Sequence, residues 1–313
     1  MSYILGIDTS CYTTSVALFT EDNHCIADGR KLLAVKPGNR GLAQSEMVYQ
    51  HTRNLPEVFS KVIKAANSRV EISAVGVTVK PRPIANSFMP AFMVGDSFAK
   101  VLALTHGAKY YPISHQENHI LAGIWSACGP NTERFLAVHA SGGTTEITAV
   151  TYTKPNIKVE LLGGSIDIAA GQFIDRIGVT LGLSFPAGPS LEALALNGHA
   201  APASLPVAAK DFTISFAGPE SHARRLLAKG DNHSAIAAGV ELCVSKSLAK
   251  LITSAIKATG LKDILLVGGV NANKFIRNFL IDTFNTTGCK LYFPEQQFSS
   301  DNALGAAYFA STS

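Results

Sequence analysis

The segment ILGIDTSCYTTSVAL, Ile4–Leu18, aligns without a gap on FLAVHASGGTTEITA, Phe135–Ala149, at a constant offset of 131 residues. Ser10 falls on Ser141, and Thr13 and Thr14 fall on Thr144 and Thr145. Each copy reads as an apolar run, a polar turn and a β-branched alternation, which is the pattern of strand, turn and strand. Two unrelated hairpins would give the same pattern. Each copy, however, opens a half of similar length, and internal duplication constrains a fold more than any single motif. The repeat predicts two α/β halves, each begun by a hairpin.

The remaining pattern fits that division. Strands are expected at Ala74–Val79, Lys158–Leu162, Asp263–Val267 and Lys290–Phe293. Helices are expected at Ser45–Ser68, Ser87–His106, Gly171–Leu181, Ser234–Thr259, Asn273–Phe284 and Ser300–Ser311. Strands alternating with helices indicate layered α/β domains. SACGPNTER, Ser126–Arg134, reads as a connection. The expected domains are residues 1–125 and 133–301, with a final helix, 302–313, returning to the first.

A chain of 313 residues suits two domains. It is 47% hydrophobic and 16% charged, which argues against extended disorder. No apolar run is long enough to span a membrane, and no basic, cleavable leader opens the chain. Cys11, Cys25, Cys128, Cys243 and Cys289 form no CxxC pair, so reduced thiols and a cytoplasmic location are expected. The net charge of +4 permits contact with RNA or nucleotide phosphates without requiring it. Two basic clusters, Lys31/Lys36/Arg40 and Arg224/Arg225/Lys229, lack stacking aromatics and read first as solvated faces.

Three turns could hold an anion. SGGTT, Ser141–Thr145, has Gly142 and Gly143, which let backbone N–H groups approach phosphate closely. GGVNAN follows an apolar strand; Gly268 and Gly269 could lie beneath a purine or sugar, and Asn273 could bond a ribose or phosphate. A tight turn is the plain alternative. Asp8, ending the first strand, could hold magnesium through water or cap its turn.

YYPISHQENHI sets His115 and His119 four residues apart, on one face of a helix, with Glu117 between them. The spacing is not that of an HExxH protease, because Glu117 falls on another face. Two imidazoles do not complete a metal site. Asp301, at the start of the last expected helix, could supply a carboxylate from the second half across a cleft, or could cap that helix. A two-His, one-carboxylate set with open positions suits iron or zinc.

These stretches occur in the order of a known family. GIDTSCYTTSVAL, HQENH, SGGTTE, GGSIDIAAGQFIDRIGVTLGLSFPAGP, ISFAGPES, GGVNAN and SSDNALGAA together resemble the TsaD-like glycoprotease family. Its members are tRNA threonylcarbamoyladenosine synthases, once described as O-sialoglycoprotein endopeptidases. The resemblance implies the fold shared by actin-like ATPases, sugar kinases and chaperone ATPases, with two duplicated domains around a nucleotide cleft. It implies metal ligands at His115, His119 and Asp301, a ligand loop at His139, Ala140, Ser141, Gly142 and Gly143, and adenosine contacts at Asp175, Gly188 and Asn273. Asp175 would accept from ribose hydroxyls; a helix-face carboxylate near Arg176 is its plain alternative. The implied reaction passes a threonylcarbamoyl group from an adenylate to adenosine N6 in tRNA. The implied partners are ATP with magnesium or an adenylate, tRNA, and a smaller homologue of the same fold.

This chain departs from the family where the acceptor is expected. The acidic pair of a CDET turn is replaced by Tyr12 and Thr13, so no general base can be named. The AGPG turn becomes VKPRP, which adds Lys80 and Arg82; facing the cleft, they would favour an anionic substrate, and otherwise they are a solvated loop. SGGHT becomes Ser141–Thr145 without its histidine. Three readings follow: a metal-dependent threonylcarbamoyl or carbamoyl transferase acting on tRNA or a small molecule, a non-catalytic nucleotide-binding paralogue, or a metallopeptidase.

Overall fold

The computed structural model describes residues 2–35, 41–66, 70–199 and 201–313; Lys36, Arg40 and the predicted helix end at Ser68 lie outside the described residues. The first half runs β1 (Ser2–Asp8), β2 (Thr13–Thr20), β3 (Cys25–Leu32), α1 (Gln44–Lys64), β4 (Glu71–Lys80), α2 (Phe92–His106), β5 (Lys109–Ser114) and α3 (His115–Ala127). It continues with β6 (Arg134–Ala140), β7 (Thr145–Thr153), β8 (Asn156–Ser165), α4 (Ala170–Thr180), α5 (Gly188–Asn197), β9 (Ala208–Lys210), β10 (Thr213–Ser215) and α6 (Ala217–Ala228). The rest is α7 (His233–Thr259), β11 (Asp263–Val267), α8 (Lys274–Phe284), β12 (Lys290–Tyr292) and α9 (Leu304–Thr312).

The duplication holds down to hydrogen-bond register. Among the described residues, one sheet has the order β3-β2-β1-β4-β5, and the other contains β8-β7-β6-β11-β12 as the same arrangement. In the first hairpin Ile7 pairs with Val16 and Asp8 with Ser15; in the second Val138 pairs with Ile147 and His139 with Glu146. Every pair keeps the sequence offset. β4 and β11 then add in parallel to β1 and β6. Register survives because each central strand is buried on both faces, so a slip of one residue would misplace all its side chains.

The chain forms two compact units. Unit 1 comprises Met1–Gly129, Tyr152–Val159 and Ser300–Ser313; unit 2 comprises Pro130–Thr151 and Glu160–Ser299. The core of unit 1 gathers Leu5, Ile7, Val16 and Leu18 against Leu55, Val58 and Val62 of α1. That of unit 2 packs Leu136, Val138 and Ile147 with Phe173, Phe216 and the buried side of α7.

Several predicted boundaries shift. The last helix begins at Leu304 instead of Ser300, and α2 begins at Phe92 instead of Ser87. Pro90 lies in the segment that precedes α2, and the residue before a proline is driven out of helical geometry. Helices α5 and α6 were not expected; Gly-Pro opens each, and that dipeptide reads as a turn although proline is favoured in a first helical turn.

Helix α9 lies on unit 1 without side chains between. A Cβ added at Gly6 would run into the Ala303 carbonyl, and one at Gly76 into that of Ala306. A Cβ at Gly305 would meet the Asn118 carbonyl of α3. Gly76→Ala must therefore lift α9 off β4, with an expected loss of roughly 1–3 kcal/mol. Urea unfolding of that variant checks this, and an unchanged midpoint would show that α9 is not fixed by backbone contact.

Candidate functional site

The C-terminal ends of the parallel strands β1, β4 and β5 collect the polar groups of unit 1. Asp8 ends β1 and is fully buried. Its Oδ2 accepts from the Ser10 hydroxyl at 2.8 Å, and its Oδ1 accepts from the Thr78 hydroxyl of β4. Ser114 ends β5 and caps α3: its Oγ accepts from the Glu117 N–H at 3.2 Å, while Glu117 Oε2 accepts from the Ser114 N–H at 2.7 Å. That capping box commits the Glu117 carboxylate to the helix start and removes it as a water-activating base.

His115 is the first residue of α3, and His119 follows one turn on. Their Nε2 atoms are 3.0 Å apart. Asp301 Oδ1 lies 3.3 Å from His119 Nε2 and 3.6 Å from His115 Nε2. One ligand atom from each of the three falls within 4.8 Å of the others. Behind them, Asp8 Oδ2 lies 3.5 Å from His115 Nδ1. A carboxylate on the far nitrogen of an imidazole fixes ring orientation and tautomer. Asp8 thus faces His115 as well as holding its own turn.

Asp301 reaches this point from the same unit. The expected approach across a cleft is replaced by assembly within unit 1, to which Ser300–Ser313 belong. Nor does Asp301 cap α9. Asn302 performs that task, its Oδ1 accepting from the Leu304 N–H at 3.0 Å and its Nδ2 donating to the Ser300 carbonyl at 2.8 Å. Buried Asn118 then ties α3 to this turn, donating to the Asn302 carbonyl at 2.6 Å and accepting from the Ala306 N–H at 2.8 Å.

Burial alone would lower the proton affinity of both imidazoles. At His115 that effect is overcome by Asp8 and then Asp301, and its pKa is raised. At His119 burial wins, reinforced by His115, and the pKa is lowered. Burial, with Asp301 and Asp8 nearby, also pushes the Cys11 thiol far up, so it is no ready nucleophile. Of the residues that replace the family's acidic pair, Thr13 is buried at the start of β2, and Tyr12 packs against Leu33, Met47 and Ala91. Lys80 pairs in register with Ser114, and the Pro81 carbonyl accepts from the Gln116 N–H at 3.1 Å. The VKPRP segment therefore adjoins the first turn of α3. Lys80 is half-buried, whereas Arg82 is exposed.

Unit 2 carries the expected nucleotide residues. His139 and Ala140 are buried at the end of β6. The Ser141 N–H donates to the Thr144 carbonyl at 2.8 Å, and Ser141 Oγ accepts from the Thr144 N–H at 3.2 Å. That amide is spent on the turn. Gly142 and Gly143 are exposed, and a Cβ on either would meet nothing within 4 Å. Gly268 has φ +94°, and a Cβ there would strike the Ala140 carbonyl, so only glycine joins β11 to the turn at Gly269. Asp175 accepts from the Ala187 N–H at 2.7 Å, which pins the start of α5 at Gly188. Its pKa is raised by burial, and Arg176 pairs with Glu220 instead.

Asn273 caps α8, its Oδ1 accepting from the Ile276 N–H at 2.9 Å. Its Nδ2 donates to Glu241 Oε1 at 2.6 Å. Glu241 was missed from sequence, although it is the single carboxylate within the apolar run of α7. Burial, with Asn273 opposing and nearby Glu192 assisting, pushes it up to about 7. Glu192 itself accepts from the Lys274 N–H at 2.8 Å.

Solved structures of similar fold include component A of (R)-2-hydroxyglutaryl-CoA dehydratase from Acidaminococcus fermentans, with TM-score 0.60 and 16% identity over 99% of this chain and 98% of that one. A ROK family glucokinase from Streptomyces griseus gives TM-score 0.55 and 8% identity over 98% and 99%. The fold is thus that of the actin-like ATPases and sugar kinases. The family profile of TsaD, tRNA N6-adenosine threonylcarbamoyltransferase, matches residues 36–308. Proteins of that name from Aromatoleum aromaticum and Thermus thermophilus are 30% and 31% identical, over 97% and 98% of this chain and 89% and 92% of their own lengths. The chain belongs to the TsaD family, whose described activity is that of an acyltransferase enzyme.

Glu241 gives a pH prediction. Its folded pKa, about 7, exceeds the ordinary 4.5. A raised value means a stability contribution that is complete below the ordinary pKa and is lost as pH climbs to the folded one. Relative to Glu241→Gln, the wild-type protein should lose stability between pH 4.5 and 7. Parallel pH series of chemical unfolding midpoints for the two proteins would show no such divergence if Glu241 titrated normally.

Proposed function

We propose that this protein is a metal-dependent threonylcarbamoyl transferase that uses an adenylate donor and modifies N6 of an adenosine in tRNA. The observation that carries the reading is the meeting of His115, His119 and Asp301, from distant chain segments, in a member of this acyltransferase family. The donor set of two imidazole nitrogens and a carboxylate oxygen, backed by Asp8, fits a divalent iron or zinc ion. Such an ion, when bound, supplies Lewis-acid polarisation of the carbamoyl carbonyl.

The remaining roles belong to the chain. Asp8, 3.5 Å from His115 Nδ1, is placed to orient that ring. The N–H groups of Gly142 and Gly143 meet the phosphate of the adenylate or of ATP with magnesium, while Asp175, Gly188 and Asn273 recognise adenosine. The adenosine nitrogen bonds to the carbamoyl carbon, the bond to the phosphate oxygen breaks, AMP departs, and the nitrogen loses a proton. Lys80 adds a positive charge beside the first turn of α3, suited to an anionic donor. A smaller homologue of the same fold is the proposed protein partner: Met93, Val101 and Leu104 form an exposed apolar stripe on α2. Among the described residues no helix is long and apolar enough to cross a membrane, and a cytoplasmic location is proposed.

The direct test incubates the protein, its smaller homologue, tRNA and threonylcarbamoyl-adenylate with iron or zinc, and quantifies the modified nucleoside by mass spectrometry. His119→Ala and Asp301→Asn should each lose bound metal, read by elemental analysis, and at least about 100-fold in rate, near the upper loss seen when metal-site partners are removed. Full activity in both variants would remove the metal from the reading. Lys80→Ala should weaken binding of a non-hydrolysable adenylate by about tenfold, equivalent to about 1.4 kcal/mol. Equal affinity in calorimetry would return Lys80 to the solvated loop.

A further inference from the structure

We propose that a lysine-rimmed groove along α7 of unit 2 is an RNA-binding surface that grips the phosphate backbone of the acceptor. It rests on the tRNA-acceptor reading above and concerns a surface separate from the residues assigned there.

The open groove has a volume of about 540 Å³ and is lined in part by Val207, Ala249 and Phe279. Lys210, Lys246, Lys250 and Lys257 stand on its rim, and all four are exposed. Three of them leave one side of α7. A rise of 1.5 Å per residue sets Lys246 and Lys250 about 6 Å apart along the helix, with Lys257 about 10 Å further on. The result is a row of cations running lengthwise and not a point cluster.

Several exposed cations outside the groove are held in ion pairs. Lys31 and Lys61 share Glu57, Lys100 pairs with Asp96, and Arg224 pairs with Glu220. The groove lysines differ: among the described residues none of the four has an ion-pair partner. Asp211 is the single carboxylate lining the groove, and the acid of α7, Glu241, is buried on Asn273. Four lysines against the one carboxylate of Asp211 leave a local excess of three positive charges. Concentrated unpaired charge of this kind attracts a polyanion and releases its counterions. Thr253, Ser254 and Thr283 also line the groove, so hydroxyls able to bond ribose or phosphate stand among its apolar side chains. The proposed acceptor is itself a polyanion long enough to follow the row.

The test uses the full chain and the exposed triple variant Lys246→Gln/Lys250→Gln/Lys257→Gln. Fluorescence anisotropy measures tRNA affinity across a salt series, with thermal unfolding and nucleotide binding as controls. The variant should keep its unfolding temperature and nucleotide affinity, while the log–log salt slope drops by about 2 to 3, near 0.7–0.9 per lost contact. The single variant Lys250→Glu gives a second reading with less risk to folding and should weaken tRNA binding by about tenfold or more at low salt. Wild-type binding with an unchanged slope in the triple variant would overturn the groove alone and leave the transferase reading standing. A wild-type protein that binds no tRNA even at low salt would overturn both. Loss of binding to an acidic polypeptide, with tRNA affinity intact, would also overturn the proposal.

Discussion

The bare backbone packing of α9 on β1, β4 and α3 is the constraint on which unit 1 depends. Gly6, Gly76 and Gly305 allow main chain to meet main chain, and a side chain at any of them would hold the helix away. Close approach alone would leave polar groups stranded, and a buried amide without a partner is costly. Asn118 answers this by donating to the Asn302 carbonyl and accepting from the Ala306 N–H. The same two bonds set the turn that presents Asp301 to His119. Packing, capping and the candidate metal set are therefore one arrangement, and a disturbance at the glycines is felt at the carboxylate.

Asp8 supplies the second half of that arrangement. A fully buried carboxylate survives only when its oxygens are satisfied. Here hydroxyls from Ser10 and Thr78 do so, and the imidazole of His115 faces the same oxygen as Ser10. The pair of carboxylates that flanks His115 raises its pKa while its neighbour His119 is lowered. The two imidazoles therefore differ in proton affinity although they sit one turn apart on the same helix. The capping box at Ser114 and Glu117 adds rigidity by fixing the first turn of α3.

The duplicated hairpins were legible because strand pairing leaves a period in sequence, and their shared register was implicit in a gapless alignment. The histidine spacing was legible for the same reason, since i and i+4 share a helix face. Asp301 could be nominated, and the return of the final helix to the first half was expected; the domain boundary, drawn after residue 301 and not before Ser300, put Asp301 in the other unit. Asn118 and Asn302 escaped notice because each acts through backbone groups that are remote or unremarkable in sequence. Glu241 was hidden inside an apolar helix, where its only cue was being out of place. Helices α5 and α6 were obscured by Gly-Pro openings that serve equally as turns.

The repeat also shows how one backbone can acquire two chemistries. Asp8 and His139 occupy the same position in equivalent hairpins, opposite Ser15 and Glu146. In unit 1 the strand end carries a carboxylate, followed by a turn filled by Cys11 and Tyr12, and it supports an imidazole. In unit 2 the strand end carries an imidazole, and the turn that follows is opened by Gly142 and Gly143. A turn with side chains packed against it cannot admit an anion to its amides, whereas an exposed glycine pair can. Retaining the register while exchanging the turn residues is enough to set a buried carboxylate beside His115 in one unit and an exposed glycine pair in the other. Neither change requires the sheet to be rebuilt, because the pairing that fixes both hairpins lies in the buried strands and not in their turns.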